Sequence, residues 1–219
     1  MTIIAFPPVE TADESGLLGL GGDLELESLL LAYRSGIFPW PLHDGLLAWF
    51  TPPMRAVIFL NEFHVSRSVT RRIRHAGFST KMNTSFREVI SCCAEVINRG
   101  DQDSTWSTPE LCDAYIMLHS SGYAHSFETF FDDVLVGGIY GVQIGHFFAA
   151  ESSFYRRDNA SKVAMLAMAD YLRDQGIAWF DCQVLTPFSE SFGAREIPRG
   201  EFMRLLGEIH QAAAEPKKS

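Results

Sequence analysis

Residues 124–154 contain three runs that can fold in few ways: AHSFETFF, VLVGGIYGVQIG and HFFAAESSF, with at most two residues between one and the next. Each is rich in aromatic and β-branched residues, and parallel strands would need a connection of about a dozen residues. The spacing therefore predicts three consecutive antiparallel strands, with tight turns at Asp132-Asp133 and Ile144-Gly145. A helical stretch over 160–175 and the apolar run IAWFDCQV, a fourth strand, come next. A meander, a helix and a further strand define an α+β layout, a mainly antiparallel sheet flanked by helices.

Upstream the punctuation differs. A helix over 25–35 is stopped by Gly36, and Pro39, Pro41, Pro52 and Pro53 are expected to prevent regular elements around it. Residues 1–58 read as a small N-terminal domain and 59–219 as a second, larger one. Within the latter, helices are predicted over 66–76, with Val65, Val69 and Ile73 as the apolar stripe, and over 85–99, with Thr84 as N-cap. A third starts at Thr108-Pro109-Glu110 and stops at Gly122, a combination that satisfies the first turn and ends the last.

Composition matters mainly for what it excludes. Apolar content of 47% against 21% charged describes a chain with a sizeable core rather than a disordered one. No apolar run approaches the roughly 18 residues of a membrane helix. MTIIAFPPVE is too short and proline-rich for a signal peptide. The four cysteines make no CxxC, so free thiols in a reducing compartment are expected and the chain reads as soluble and cytoplasmic. Histidines at 119, 125 and 146 have no ligand spacing, and no metal is expected.

Four features could carry chemistry. In FDCQV, strand alternation puts Asp181 and Gln183 on one face and Cys182 on the other; such a pair is either satisfied internally or used on a ligand. Glu151 lies among small and apolar residues in FFAAESSF, where a carboxylate needs an arginine or a cationic or hydroxyl ligand. Residues 63–87 carry basic side chains and one acid-free run inside a protein of net charge −9; Arg67, Arg71 and Arg74 share a helical face suited to phosphates, or form an ordinary solvated face. Trp40, Trp49 and Trp106 sit in or beside loops, where aromatics stack bases or pin the loop to the core.

The strand–helix–strand order is similar to that of GNAT-like acyltransferases, an analogy of fold alone. The motifs GLLGLGGDL, GIFPW, SRSV, TWST, AHSFE, LVGGIYGV, ESSF, NASK, DCQV and GAREIPR, in this order from about Gly16 to Leu206, resemble the leucyl/phenylalanyl-tRNA–protein transferases. The resemblance implies a small N-terminal domain packed on a GNAT-like C-terminal domain. It implies transfer of Leu or Phe, with Met a further candidate, from leucyl-tRNA or phenylalanyl-tRNA to the α-amine of proteins beginning with Lys or Arg, in the N-degron pathway. It also implies no acetyl-CoA and no metal; no other cofactor is expected, and a monomer is the default expectation. Functional positions that match are Trp40, Trp106, Glu151, Asp181 and Gln183, and the tRNA-associated basic positions match Arg67, Arg71 and Arg74. The family's WWSPDPR reads WFTPPMR here, and its GESMF reads AESSF.

The stretch AAESSFYRRDNASK joins strand to helix without a glycine, so it lacks the backbone nest that holds a pyrophosphate. On the resemblance it should receive the aminoacyl-adenosine end of a tRNA, with Asn159 capping the helix and Arg156, Arg157 and Lys162 near phosphate. Aminolysis of an activated ester needs no covalent nucleophile, only a neutral amine, good orientation and oxyanion stabilisation. Asp181 is the candidate general base, working with Gln183, unless a tRNA hydroxyl moves the proton. Glu151 would bind the α-ammonium or ribose, and Trp40 and Trp106 the adenosine. Ile139, Phe148, Met165, Met168, Leu172 and Phe180 correspond to the family's amino-acid pocket, although alternation sets Phe148 and Phe180 opposite Glu151 and Asp181. The alternatives are an acyl-CoA N-acetyltransferase and a non-catalytic adaptor that binds tRNA or protein N-termini.

Overall fold

The structure, a computed structural model, describes residues 2–42, 46–95 and 108–214. Its first part holds β1 (Leu17–Leu20), α1 (Leu26–Arg34), β2 (Phe38–Pro41) and β3 (Leu47–Phe50). The strands form an antiparallel sheet in the order β1-β3-β2. Pro39 and Pro41 thus lie in a strand, against the expectation that prolines would keep this region irregular. β2 is an edge, and the Leu42 amide reaches the Leu46 carbonyl at 2.8 Å. Phe38 and Trp40, in phase with Leu42, therefore turn their amides to β3, and the prolines occupy the outward positions that need no donor.

The next elements are β4 (Met54–Phe59), α2 (Arg67–Arg74), β5 (Ser79–Met82), α3 (Phe86–Glu95) and α4 (Pro109–Ser120). They are followed by β6 (Ala124–Phe131), β7 (Val134–Ile144), β8 (Phe147–Tyr155), α5 (Ala160–Asp174) and β9 (Trp179–Gln183). The last are α6 (Pro187–Glu190), β10 (Arg195–Pro198) and α7 (Arg199–Ala214). One seven-stranded sheet runs β10-β4-β9-β8-β7-β6-β5, antiparallel except for the parallel pair β8–β9. This is the expected α+β arrangement, a mainly antiparallel sheet flanked by helices. β4, which a division at residue 58 would cut, is part of this larger sheet.

Local chemistry explains most boundaries. Asp132 and Asp133 take φ of 49° and 60°, which a two-residue hairpin turn requires. The second turn centres on Gly145-His146, one residue later than expected, because Ile144 pairs with Phe147. Thr108 caps α4 by accepting from the Leu111 amide. α3 starts differently from expectation: the Ser85 carbonyl takes its first bond, from the Val89 amide. Thr84 is turned to Glu128 instead, which also accepts from the Ser85 amide and the Ser126 hydroxyl. A buried acid on β6 thus supplies the capping that a side chain of the helix would otherwise provide.

Each face of the sheet covers a core. One joins α1, α3, α4 and α7 to the sheet through residues such as Leu29, Val89, Leu118, Phe147 and Phe202. The other lies under α5 and holds Ile58, Phe127, Phe148, Met165 and Phe180. α5 can close on β7 because position 137 is glycine; a Cβ there would fall 2.6 Å from that of Ala160. Among the described residues no helix is long and apolar enough to cross a membrane.

Candidate active site

Two β-bulges at the centre of the sheet shape the site. β8 and β9 pair at Ala149–Asp181. Beyond that point Glu151 is the extra residue of β8, between Ala150 opposite Gly141 and Ser152 opposite Tyr140. Cys182 is the extra residue of β9, between Asp181 opposite Val57 and Gln183 opposite Ala56. Bulges of this kind re-aim side chains and leave one residue outside the ladder. Gln183 takes φ of 61°, a left-handed conformation costly for a residue with a Cβ.

Asp181 holds that conformation. Its Oδ1 accepts from the Gln183 amide at 2.7 Å and from Arg55 Nε at 2.9 Å, while Oδ2 accepts from Arg55 Nη2 at 2.6 Å. Both residues are sealed, at 1% and 0% exposure. The guanidinium lies between the rings of Phe38 and Phe202, at 4.7 and 4.6 Å, and donates to the Gly36 carbonyl. A forked, ring-sandwiched arginine is the pairing that best offsets the desolvation of a buried carboxylate.

Among the described residues no arginine pairs with Glu151. Tyr33 donates to its Oε1 at 2.8 Å, Tyr115 to its Oε2 at 2.9 Å, and Gln183 Nε2 to both at 3.0 Å. Burial dominates all the same: it raises the Glu151 carboxyl to about 7, against the lowering effect of these three partners, and the Asp181 charge adds to the rise. Burial also pushes the Tyr33 and Tyr115 hydroxyls well above their usual range, followed by the charge of Glu151, so both act as neutral donors.

A cleft of about 480 Å³ opens beside this network. It is lined by Ser15, Phe38, Pro39, Trp40, Phe50 and Pro52 from the first part of the chain and by Glu151, Cys182, Gln183, Val184 and Thr186 from the later part. Its size suits a small organic group, and its composition, mostly apolar with a few converging polar side chains, is that of a ligand site.

The model of the leucyl/phenylalanyl-tRNA protein transferase family matches residues 57–207, and that of the same family's N-terminal domain matches residues 22–53. The chain belongs to this family. It is 45% identical over 201 residues to the leucyl/phenylalanyl-tRNA–protein transferase of Flavobacterium johnsoniae, covering 92% of this chain and 94% of that one. The corresponding protein of Stutzerimonas stutzeri is 46% identical over 205 residues, with 93% and 90% covered. Among solved structures FemX shares the fold, with a TM-score of 0.51 at 12% identity over 82% of this chain and 70% of that one. Membership makes the chain an aminoacyltransferase.

The structure unites part of the expected site. Trp40, Glu151 and Gln183 line one cleft, and Trp106 lies outside the described residues. Asp181 supports the site from behind: it is fully buried, and it is not among the residues that line the cleft. Ile139, Phe148, Met165, Met168, Leu172 and Phe180 do not line the cleft. They pack together under α5 at 0–2% exposure, a closed core on the other face of the sheet. Alternation predicts this, since it sets Phe148 and Phe180 opposite Glu151 and Asp181.

The junction after β8 also departs from expectation. Asn159 precedes α5 in a left-handed conformation, φ 68°, and its side chain makes no cap bond. Arg157 stacks on Phe131 at 3.5 Å and Arg156 lies 3.7 Å from Glu95, neither bordering the cleft. Cys182 packs against the core under α5 and borders the cleft. Burial, then the Asp181 charge, push its thiol well above the usual range, the reverse of what a nucleophile requires. Arg67, Arg71 and Arg74 are exposed on α2.

Sequence reasoning missed Arg55, Tyr33 and Tyr115. The signal was present for the tyrosines: each sits on an apolar helix face, in LESLLLAYR and LCDAYIML, where a buried hydroxyl must find a partner.

Proposed function

We propose that the chain transfers a leucyl or phenylalanyl group from its tRNA to the α-amine of proteins beginning with Lys or Arg, in the cytoplasm, marking them for N-degron degradation. The observation that carries this reading is the cleft itself, lined by Trp40, Gln183 and Glu151 and of a size suited to an aminoacyl group. Trp40 offers a flat surface for the terminal adenine, a contact insensitive to base identity. The α2 arginines Arg67, Arg71 and Arg74 are free to meet the phosphates of the tRNA, whose affinity they would make salt-dependent. In this reading the protein acts as a monomer.

The ester is already activated, so the protein supplies position and a path for protons. Gln183 gives its Nε2 hydrogens to Glu151, which fixes the amide and leaves its Oε1 to accept from the incoming amine. Asp181 and Arg55 hold the backbone that makes this orientation possible. A pyrophosphate of coenzyme A has no counterpart cradle: the β8–α5 junction contains no glycine.

The test is transfer of labelled leucine to peptides beginning with Arg, Lys or Met, from leucyl-tRNA, from free leucine with ATP, and with acetyl-CoA as rival donor. Transfer to the Arg and Lys peptides from charged tRNA alone is expected. Acetylation from acetyl-CoA, or tRNA binding without transfer, would overturn the reading.

A further inference from the structure

The hydroxyls of Tyr33 and Tyr115 are 2.8 Å apart, and each also contacts a different oxygen of Glu151, at 2.8 and 2.9 Å. Three oxygen–oxygen contacts of hydrogen-bond length therefore close a triangle. With Glu151 ionised, the two hydroxyls bring only two protons to these three contacts. Both are drawn to the carboxylate, and the tyrosine oxygens then face each other with no hydrogen between them. One more proton completes the ring. Glu151 then donates to Tyr33, Tyr33 to Tyr115, and Tyr115 back to the other oxygen of Glu151. Gln183 Nε2, equidistant at 3.0 Å from both carboxyl oxygens, serves either state.

We propose that Tyr33, Tyr115 and Glu151 together accept one proton during transfer, with the tyrosines as positioning residues that make Glu151, rather than Asp181, the base of the reaction. This rests on the reading of the cleft as an aminoacyl-transfer site. Glu151 borders the cleft, whereas Asp181 is sealed behind Arg55.

The surroundings favour a group that alternates between the two states. Facing Glu151 are Tyr33 from α1, Tyr115 from α4, Tyr140 from β7, and Asp181 and Gln183 from β9. The cation nearest in the network, Arg55 of β4, is committed to both oxygens of Asp181. Among the described residues no cation faces Glu151 to lock it as an anion, and burial keeps its proton affinity near neutrality.

The step balances with the residues present. An acceptor ammonium loses its surplus proton to solvent on binding and attacks as the neutral amine. Its nitrogen bonds to the ester carbonyl carbon, giving a tetrahedral intermediate with a positive nitrogen and a negative oxygen. Glu151 takes one proton from that nitrogen and the ring closes. Collapse breaks the carbon–oxygen bond to the tRNA ribose, and the same proton goes to the departing oxygen. The products are an amide and a ribose hydroxyl, and the ring returns to two protons.

Two measurements on the full chain test this. Difference infrared spectroscopy of the free protein, wild type minus Glu151→Gln, follows the protonated-carboxyl band against pH. Single-turnover transfer from leucyl-tRNA to an Arg-initiated peptide is followed over the same range. A band that titrates close to neutrality is expected, moving to higher pH in Tyr33→Phe and Tyr115→Phe because each removes a donor to the carboxylate. Each Tyr→Phe change should slow single-turnover transfer by about tenfold, and Glu151→Gln by about a hundredfold or more, with the KM for leucyl-tRNA unchanged. Because the peptide amine itself titrates near 7.7–8.0, the acidic limb assigned to Glu151 is the part that Glu151→Gln removes.

A double Tyr→Phe variant with the wild-type rate and band midpoint would overturn the inference. So would a Glu151→Gln variant that keeps its acidic limb. A titrating band in a protein that transfers nothing would instead overturn the functional reading alone.

Discussion

Asp181→Ala separates a supporting carboxylate from a reacting one. In the structure both oxygens of Asp181 are occupied, by Arg55 and by the Gln183 amide, at 2.6–2.9 Å and zero exposure. Deleting the carboxylate leaves the Arg55 guanidinium buried at 1% exposure with only the Gly36 carbonyl to accept from it. Breaking a buried ion pair on one side costs about 3–5 kcal/mol, a large share of the roughly 5–15 kcal/mol that holds a domain together. Urea unfolding of Asp181→Ala and Arg55→Ala should show losses of that size. The double change Arg55→Met with Asp181→Leu should recover most of the stability, since a packed apolar pair can replace a buried ionic one. It should not recover transfer, because nothing then holds Gln183 in its left-handed backbone. Asp181→Asn, which keeps an acceptor for the Gln183 amide, should retain more transfer than Asp181→Ala. An Asp181→Ala protein as stable as wild type, and an Asp181→Asn protein equally inactive, would refute the reasoning and return Asp181 to the role of base.

Three other expectations follow from particular contacts. The Glu151 carboxyl is raised to about 7 in the folded state from 4.5, so its contribution to stability is fully present below about pH 4.5 and lost as pH rises through 7. The wild type should lose about 3 kcal/mol between these limits, and Glu151→Gln should lack that slope in urea titrations at several pH values. Replacing Arg67, Arg71 and Arg74 together by Ala should lower the salt dependence of tRNA binding by about two to three units of log–log slope with Tm unchanged, as the α2 arginines are exposed. Gly141→Ala should cost at least about 1–3 kcal/mol, read by thermal unfolding, since the new Cβ would lie 2.4 Å from the Ala149 carbonyl oxygen and 2.6 Å from the Phe148 ring.

Strong local signals made the centre of the fold legible in advance, whereas β1 to β5 and β10 were not anticipated. The meander at 124–154, the capped helix from Pro109 to Ser120 and the helix after Asn159 follow from alternation, turn residues and caps that act within a few positions of one another. The prolines of β2 misled because their cost depends on whether a strand is an edge, which only neighbouring strands decide. Glu151, Gln183 and Trp40 stood out as polar or aromatic residues in places that demanded an explanation. The cleft they share was not visible, because it is bounded by chain segments far apart in sequence, one ending at Pro52 and the other starting at Glu151.

By itself, then, the sequence determined the central meander with the helix and strand that follow it, the family and the identity of several polar residues that a ligand would meet, because these depend on side-chain type and short spacing. The tertiary structure decided which carboxylate is available. Alternation sets Glu151 and Gln183 on the face opposite Phe148 and Phe180, and the fold adds a bulge at Glu151 and one at Cys182, which period-two reading does not show. The arginine that a buried acid needs came from β4 and went to Asp181, and the tyrosines of α1 and α4 went to Glu151. Burial costs and hydrogen-bond partners belong to the assembled surroundings of a residue, so the same side chain is an anchor in one place and a proton acceptor in the other.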